Sequence, residues 1–300
     1  MYDLIIIGGG PAGLTAAIYA IRKRMNCLLI SPDLGGKANL RMVIEGGTTY
    51  QVINGSDIVR RFRGELEYLE FARLLEKVTH LEKAGDHFAL TTDSGRQFEA
   101  KSVILSMGAD PVRLNVPGAD SYFMRGVAYS TVSYAPLYMD KQVAVVGSNG
   151  MALRGAAELA QIASKVHLIA PDHGELDSNL GRRVLASKRV TLYEGWQPES
   201  VAGDSEVRQL VISSPSAEQC TLDVDAVFVE LGLVPRTGLV EGWLELDEQK
   251  RIVTSCGTET SVPGLFAAGD ITHLPAEQVL IAIGEGAKAA LNAYEYLLNG

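Results

Sequence analysis

The fold class that this sequence predicts is α/β, with two Rossmann-like domains, and two stretches carry the prediction. DLIII (3–7), GGGPAG (8–13), LTAAIYAIRKR (14–24) and NCLLI (26–30) read in order as strand, glycine turn, helix and strand. Such a βαβ unit of about 30 residues yields parallel strands joined by a helix. KQVAVVGSNGMALRGAAELAQIASKVHLIA (141–170) repeats the same order. Composition agrees, because 300 residues at 47% hydrophobic content supply two cores of ordinary size. The 31 glycines cluster beside apolar runs, where tight strand-to-helix turns need them.

The remaining elements follow along the chain. YLEFARLLEKVTHLE (68–82) has helical spacing, HFALTTDSGRQFEA (87–100) reads as a hairpin turning at Asp93-Ser94-Gly95, and SVILSMG (102–108) reads as a buried strand. After the second unit come the strands RVTLYEG (189–195), VRQLVISS (207–214) and DAVFVELG (225–232). SVPGLFAAGD (261–270) reads as a strand with a glycine turn, and EQVLIAIGEGAKAALNAYEYLL (277–298) as a long helix with one apolar face.

Charge narrows the function classes. With 27 basic against 36 acidic residues the net charge is −9, and no basic block stands out, which argues against a nucleic-acid or anionic-membrane partner. No apolar run reaches the roughly 18 residues of a membrane span, and the start MYDLIIIGGG lacks the basic region and cleavage site of a leader. The expectation is a soluble, cytoplasmic protein. Cys27, Cys220 and Cys256 match neither a C-x-x-C pair nor a zinc pattern, so no metal is expected. Cys27 reads as a core residue, and Cys220 and Cys256 as surface or edge thiols.

Gly8-x-Gly10-x-x-Gly13 fits a dinucleotide pyrophosphate. The first glycine makes the turn, the second admits the phosphates, and the third brings helix against strand, so that the helix N-terminus faces the anion. Together with LGGK (34–37), VILSMGADPVRLNVPG (103–118), GLVPRT (232–237), FAAGD (266–270) and IGEGAKAALNAYEYL (283–297), this chain resembles the low-molecular-weight thioredoxin reductase family over nearly its whole length.

The resemblance implies FAD in a discontinuous domain (1–115 and 240–300), with a nucleotide domain of NAD(P)H type (116–239) inserted between its parts. It also implies a homodimer built through the FAD domains. Gly8, Gly10, Pro11, Ala12 and Gly13 match the family's pyrophosphate turn, and Gly269 and Asp270 its pyrophosphate and ribityl contacts. Gly108 lies in the matching VILSMGADP segment, Gln278 and Val279 fall where the chain passes the flavin ring, and Asn54 where an asparagine faces it. Ser31 replaces a ribose-binding acid, Lys37 a glutamine and Ser56 a proline.

Two departures bear on function. Relatives read G-G-G-D-S-A at the second turn, where this chain has Gly147, Ser148, Asn149, Gly150, Met151 and Ala152. The H-R-R that holds a 2′-phosphate is replaced by Ala170-Pro171-Asp172, which argues against NADPH and leaves Asp172 as a partner for the hydroxyls of NADH. The redox Y-C-A-T-C-D-G is replaced by Tyr129-Ser130-Thr131-Val132-Ser133-Tyr134-Ala135, so no disulfide forms there.

Ser130, Ser133 and Tyr134 are instead candidates for polar contact to the flavin or to a helix N-terminus, with Tyr129, Tyr134 and Tyr138 as candidate aromatic walls. No histidine lies near the serines in sequence to activate them. The leading reading is an FAD oxidoreductase that exchanges electrons with a redox protein or small-molecule acceptor other than NADPH. A second aromatic cofactor, such as a second FAD, is a candidate for the altered crevice. The alternatives are a non-enzymatic flavin-binding sensor or scaffold and a ferredoxin- or flavodoxin-NADP reductase-like enzyme.

Overall fold

The computed structural model describes residues 1–40, 57, 60–64, 72–274 and 276–299. DLIII becomes the central strand of its sheet, β1 (Tyr2–Ile7), flanked in parallel by β2 (Cys27–Ile30) and β6 (Gln97–Leu105). Covered on both faces, its apolar residues divide by the period of two. Leu4 and Ile6 join a core with helices α1 (Pro11–Arg22) and α4 (Val279–Asn299), while Ile5 and Ile7 join a second core on the opposite face. Alanine and glycine let the two helices meet closely: a Cβ on Gly286 of α4 would stand 2.0 Å from the Ala12 carbonyl.

The strands run β3 (Arg73–Leu74), β2, β1, β6, with β17 (Leu265–Ala267) beside the second half of β6. The first half of β6 continues antiparallel into β5 (His87–Thr92) and β4 (Val78–Ala84), with the hairpin turn where the sequence places it. Over 72–82 the helical expectation fails. Val78 and Leu81 are the buried residues of β4, three apart, because a register shift between Val78 and His80 inserts an extra residue. A bulged strand thereby imitates helical periodicity.

The second domain repeats the plan. Its parallel sheet runs β11 (Val190–Glu194), β10 (Lys165–Ala170), β9 (Gln142–Val146), β15 (Ala226–Val229), β8 (Val127–Ala128). Val143 and Val145 face α2 (Gly150–Ile162), and Ala144 and Val146 face an antiparallel layer of β12 (Gln197–Gly203), β13 (Val207–Ser213) and β14 (Gln219–Asp223). β12 and β14 escape sequence reading because both are polar and partly exposed. Helix α3 (Asn179–Leu185) follows the loop after β10.

Among the described residues, one compact unit holds 1–40, the described part of 57–110 and 234–299, and the other holds Pro111–Leu233. The sequence reading sets these junctions near 115 and 240. They fall instead by the paired short strands β7 (Ala109–Pro111) and β16 (Leu233–Pro235). Among the described residues no helix is long and apolar enough to cross a membrane, and no group of His, Cys, Asp and Glu is arranged to hold a metal. All three cysteines are free, Cys27 is buried, and burial pushes its thiol up to about 11.

Candidate functional site

In the first unit the turn after β1 is braced from behind. Gly8 has φ +109°, and a Cβ there would lie 2.4 Å from the Ser106 carbonyl oxygen. A Cβ on Gly13 would come within 1.8 Å of the Gly8 oxygen, so α1 starts directly against the turn only if that residue is glycine. The Ser106 hydroxyl donates to the carbonyls of Ile7 (2.9 Å) and Gly8 (3.0 Å). Ser31, at the place of a ribose-binding acid, accepts the Gly9 N–H at 2.8 Å, so its hydroxyl holds the turn. The helix end itself is left open: Gly10 caps α1 without a side-chain hydrogen bond, Pro11 follows, and a Cβ at Gly10 would meet nothing within 4 Å. This is a cradle of the kind a diphosphate fills.

Gly269 closes the cradle with φ +80°, where a Cβ would lie 3.1 Å from that of Ala12. Asp270 beside it is ion-paired at 2.7 Å to Lys37, whose Nζ is also 3.0 Å from Glu277. Burial works to discharge the Lys37 ammonium, but the two carboxylates outweigh it and hold its pKa above the ordinary value. Glu277 is a partner that sequence reading missed. Gln278 Nε2 donates to the Glu277 carbonyl at 2.7 Å, Val279 opens α4, and Gly108 (φ +72°) accepts the Arg236 N–H at 3.0 Å. Asn54 and Ser56 lie outside the described residues.

In the second unit the matching helix end is closed by the chain itself. Asn149 Oδ1 accepts the N–H groups of Met151 (2.9 Å) and Ala152 (3.1 Å), capping α2. Glu175 Oε1 accepts the Gly150 N–H at 2.9 Å, and the Ser148 hydroxyl donates to Asp172. Ser148, Asn149, Asp172 and Glu175, with Gly147, Pro171, Gly174 and Leu231, line a cavity of about 350 Å³ whose lining carries two carboxylates; Arg154 Nη1 lies beside it, 3.3 Å from where a Cβ on Gly150 would stand. Asp172, read from the sequence as a partner for ribose hydroxyls, is already engaged with Ser148. Glu175 went unread because nothing in sequence links it to a turn 25 residues earlier.

Ser130 and Ser133 bond to each other, the Ser130 hydroxyl donating to Ser133 at 3.0 Å. Ser130 stands at the N-cap position of the turn Thr131–Tyr134 but its side chain makes no capping hydrogen bond, which corrects the expectation of that contact. The N-terminus of the single turn Thr131–Tyr134 goes instead to Glu230, whose Oε1 accepts from Thr131 N at 2.6 Å and from its hydroxyl at 2.7 Å. Glu230 is 4% exposed, and burial drives its carboxyl pKa upward in spite of those hydrogen bonds and of Arg154. Tyr134 is half-buried, with its hydroxyl pKa raised by burial. Tyr138 is a core residue set edge-on to Phe228 at 5.5 Å, and Tyr129 pairs with Phe123 at 5.7 Å while its hydroxyl accepts the Leu114 N–H. The rings of Tyr129 and Tyr138 are thus spent on packing.

Fold and cradle together define a protein with two dinucleotide-type domains, of which one retains an open anion site. The sequence profile of the pyridine nucleotide-disulphide oxidoreductase family matches residues 2–288, and the chain belongs to that family. Thioredoxin reductase from Streptococcus pyogenes MGAS5005 superposes with a TM-score of 0.90 at 31% identity, over 100% of this chain and 99% of that one. A ferredoxin-flavin thioredoxin reductase from Clostridium acetobutylicum gives 0.51 at 33% identity, over 100% and 99%. A component of alkyl hydroperoxide reductase from Staphylococcus aureus is 32% identical over 300 residues, which are 99% of this chain and 59% of that protein. The chain therefore spans about three fifths of the length of that relative. The fold is thioredoxin-reductase-like, and family membership implies FAD, for which the cradle at Gly8–Gly13 is suited.

Proposed function

We propose that this chain is a flavin-dependent oxidoreductase that exchanges electrons with a partner other than a pyridine nucleotide and has no disulfide of its own in the relay. The observation that carries this is the contrast between two equivalent helix ends. At α1 no side chain caps the N-terminus, whereas at α2 the N–H groups of Gly150, Met151 and Ala152 are taken by Glu175 and Asn149. A phosphate entering the second crevice would displace these partners and approach carboxylates. Two unit charges of like sign about 4 Å apart cost on the order of 4 kcal/mol at the effective dielectric of a protein surface.

When bound, FAD supplies reversible one- and two-electron chemistry. The Gly8–Gly13 turn and the start of α1 would hold its diphosphate, and Asp270 is kept beside the charged Lys37. The paired hydroxyls of Ser130 and Ser133 accept no electrons, so that segment has a polar or structural part only. A second FAD in the crevice would need the same N–H groups as a pyridine nucleotide and is disfavoured on the same ground. So is an NADP reductase activity. Similarity to the ferredoxin-flavin thioredoxin reductase from Clostridium acetobutylicum makes small redox proteins the first class of partner to try.

A homodimer through the first unit is part of this reading. Leu280, Leu291 and Leu298 of α4 are exposed and fall on one face of the helix, an apolar stripe suited to a second copy.

The test is photoreduction of the purified holoprotein without oxygen, followed by mixing with ferredoxins, thioredoxins, flavodoxins and quinones. Rapid return of the oxidised flavin spectrum with one of them is expected. Indifference to the whole panel would overturn the reading in favour of a flavin-binding sensor or scaffold.

A further inference from the structure

The loop between β10 and α3 does more than line the altered crevice. Its residues 171–178 fold back on the second glycine turn through several contacts. Glu175 N–H donates to the Ser148 carbonyl at 2.8 Å, and Ser148 donates its hydroxyl to Asp172. Gly174, at φ +46°, packs so tightly that a Cβ would meet the Ser148 carbonyl oxygen at 2.5 Å. From this position Glu175 delivers its carboxylate to the Gly150 N–H at 2.9 Å.

The loop is also tied from its far side. His173 is 2.7 Å from Glu194, the last residue of β11, through Nδ1 and 3.0 Å from Asp177 through Nε2. Ser178 then caps α3 by accepting the Gly181 N–H at 3.0 Å.

We propose that Glu175 and Asn149 are specificity-determining residues that occupy the anion position of the second crevice from within, so that two side chains exclude dinucleotides from a domain whose backbone still has the shape to bind them. Glu175 stands where one phosphate would take its N–H, and Asn149 takes the next two. The rest of the crevice is retained: the glycine turn, the parallel strands and a cavity of about 350 Å³. Asp172, which accepts from Ser148 through Oδ1 and has a second carboxylate oxygen for another donor, sets what an opened crevice would accept. A carboxylate at the end of the second strand suits free ribose hydroxyls and repels a 2′-phosphate, so NADH is favoured over NADPH. This inference rests on the reading that the native protein takes no electrons from pyridine nucleotides, and its test separates the two.

The test is calorimetric titration of the FAD-loaded protein and its N149G/E175A variant with NADH and with NADPH. Glycine is a tolerated N-cap, so α2 keeps its start in the variant. The native protein is expected to show no saturable binding, and the variant to bind NADH at least about tenfold more tightly than the native protein and than it binds NADPH. A folded, flavin-loaded variant that still ignores NADH would overturn the inference and leave the proposed function standing. Native protein that binds NADH as tightly as the variant would overturn both. If the double variant loses its flavin or its melting transition, E175A alone carries the test, with inorganic pyrophosphate as the probe. Protection of its thermal transition by pyrophosphate, absent in the native protein, is then the expected result, and equal indifference of both proteins would overturn the inference.

Discussion

Glu230 shows how a charged residue can be accommodated inside an apolar stretch. It directly follows β15 within the apolar run VFVELGLV, its two hydrogen bonds from Thr131 hold the turn that carries Ser130 and Ser133, and burial works against its charge. A carboxyl with a raised native pKa favours the protonated state in the fold. The unfolded chain ionises first, so stability is fully present below the ordinary carboxyl range and falls as pH rises from there to the native pKa. Glu230→Gln, which keeps an acceptor for Thr131 without the charge, is therefore expected to flatten this part of the stability profile. Melting temperatures of the two proteins from about pH 4 to pH 8 should diverge in favour of the variant as pH rises. A constant difference across the range would count against a buried, titrating Glu230. The sequence offered a signal here, since a glutamate inside an apolar strand calls for a partner, but the partner, Thr131, is 99 residues away.

At the scale of elements, the sequence identifies those that repeat a simple period and misreads those that break it. Strands β1, β2, β9, β10 and β15 are legible because they are short and apolar, and β1 and β9 are marked further by the glycine turns that follow them. β4 is misread because its bulge spaces Val78 and Leu81 three apart, and β12 and β14 are missed because half-exposed antiparallel strands carry little apolar signal. The first cradle is legible because glycine identity dictates its geometry. The closing of the second crevice is only half legible: Asn149 stands within the motif, whereas Glu175 arrives on a loop that the motif does not specify. Helix α4 carries a prediction of its own. Residues 11 and 7 positions apart on a helix return to within about 20° of one line, so Leu280, Leu291 and Leu298 form a stripe. Leu291→Glu is expected to convert a dimer to monomer in sedimentation analysis with the flavin retained. A variant that sediments as the native protein does would remove α4 from the interface.

For the whole molecule, the chain retains the two-domain plan of the pyridine nucleotide-disulphide oxidoreductases, and on the function proposed above the two chemical connections that serve a flavin in the thioredoxin reductases it resembles are altered. The disulfide position holds a pair of bonded hydroxyls, and the nucleotide turn is capped by its own side chains. The central claim is that electrons enter and leave without NADH or NADPH. It is tested most directly by anaerobic titration of the bound flavin, following its absorbance band near 450 nm, with NADPH, NADH and dithionite in parallel. We predict full bleaching by dithionite and none by either nucleotide within minutes. Rapid stoichiometric bleaching by NADPH or NADH would contradict the account.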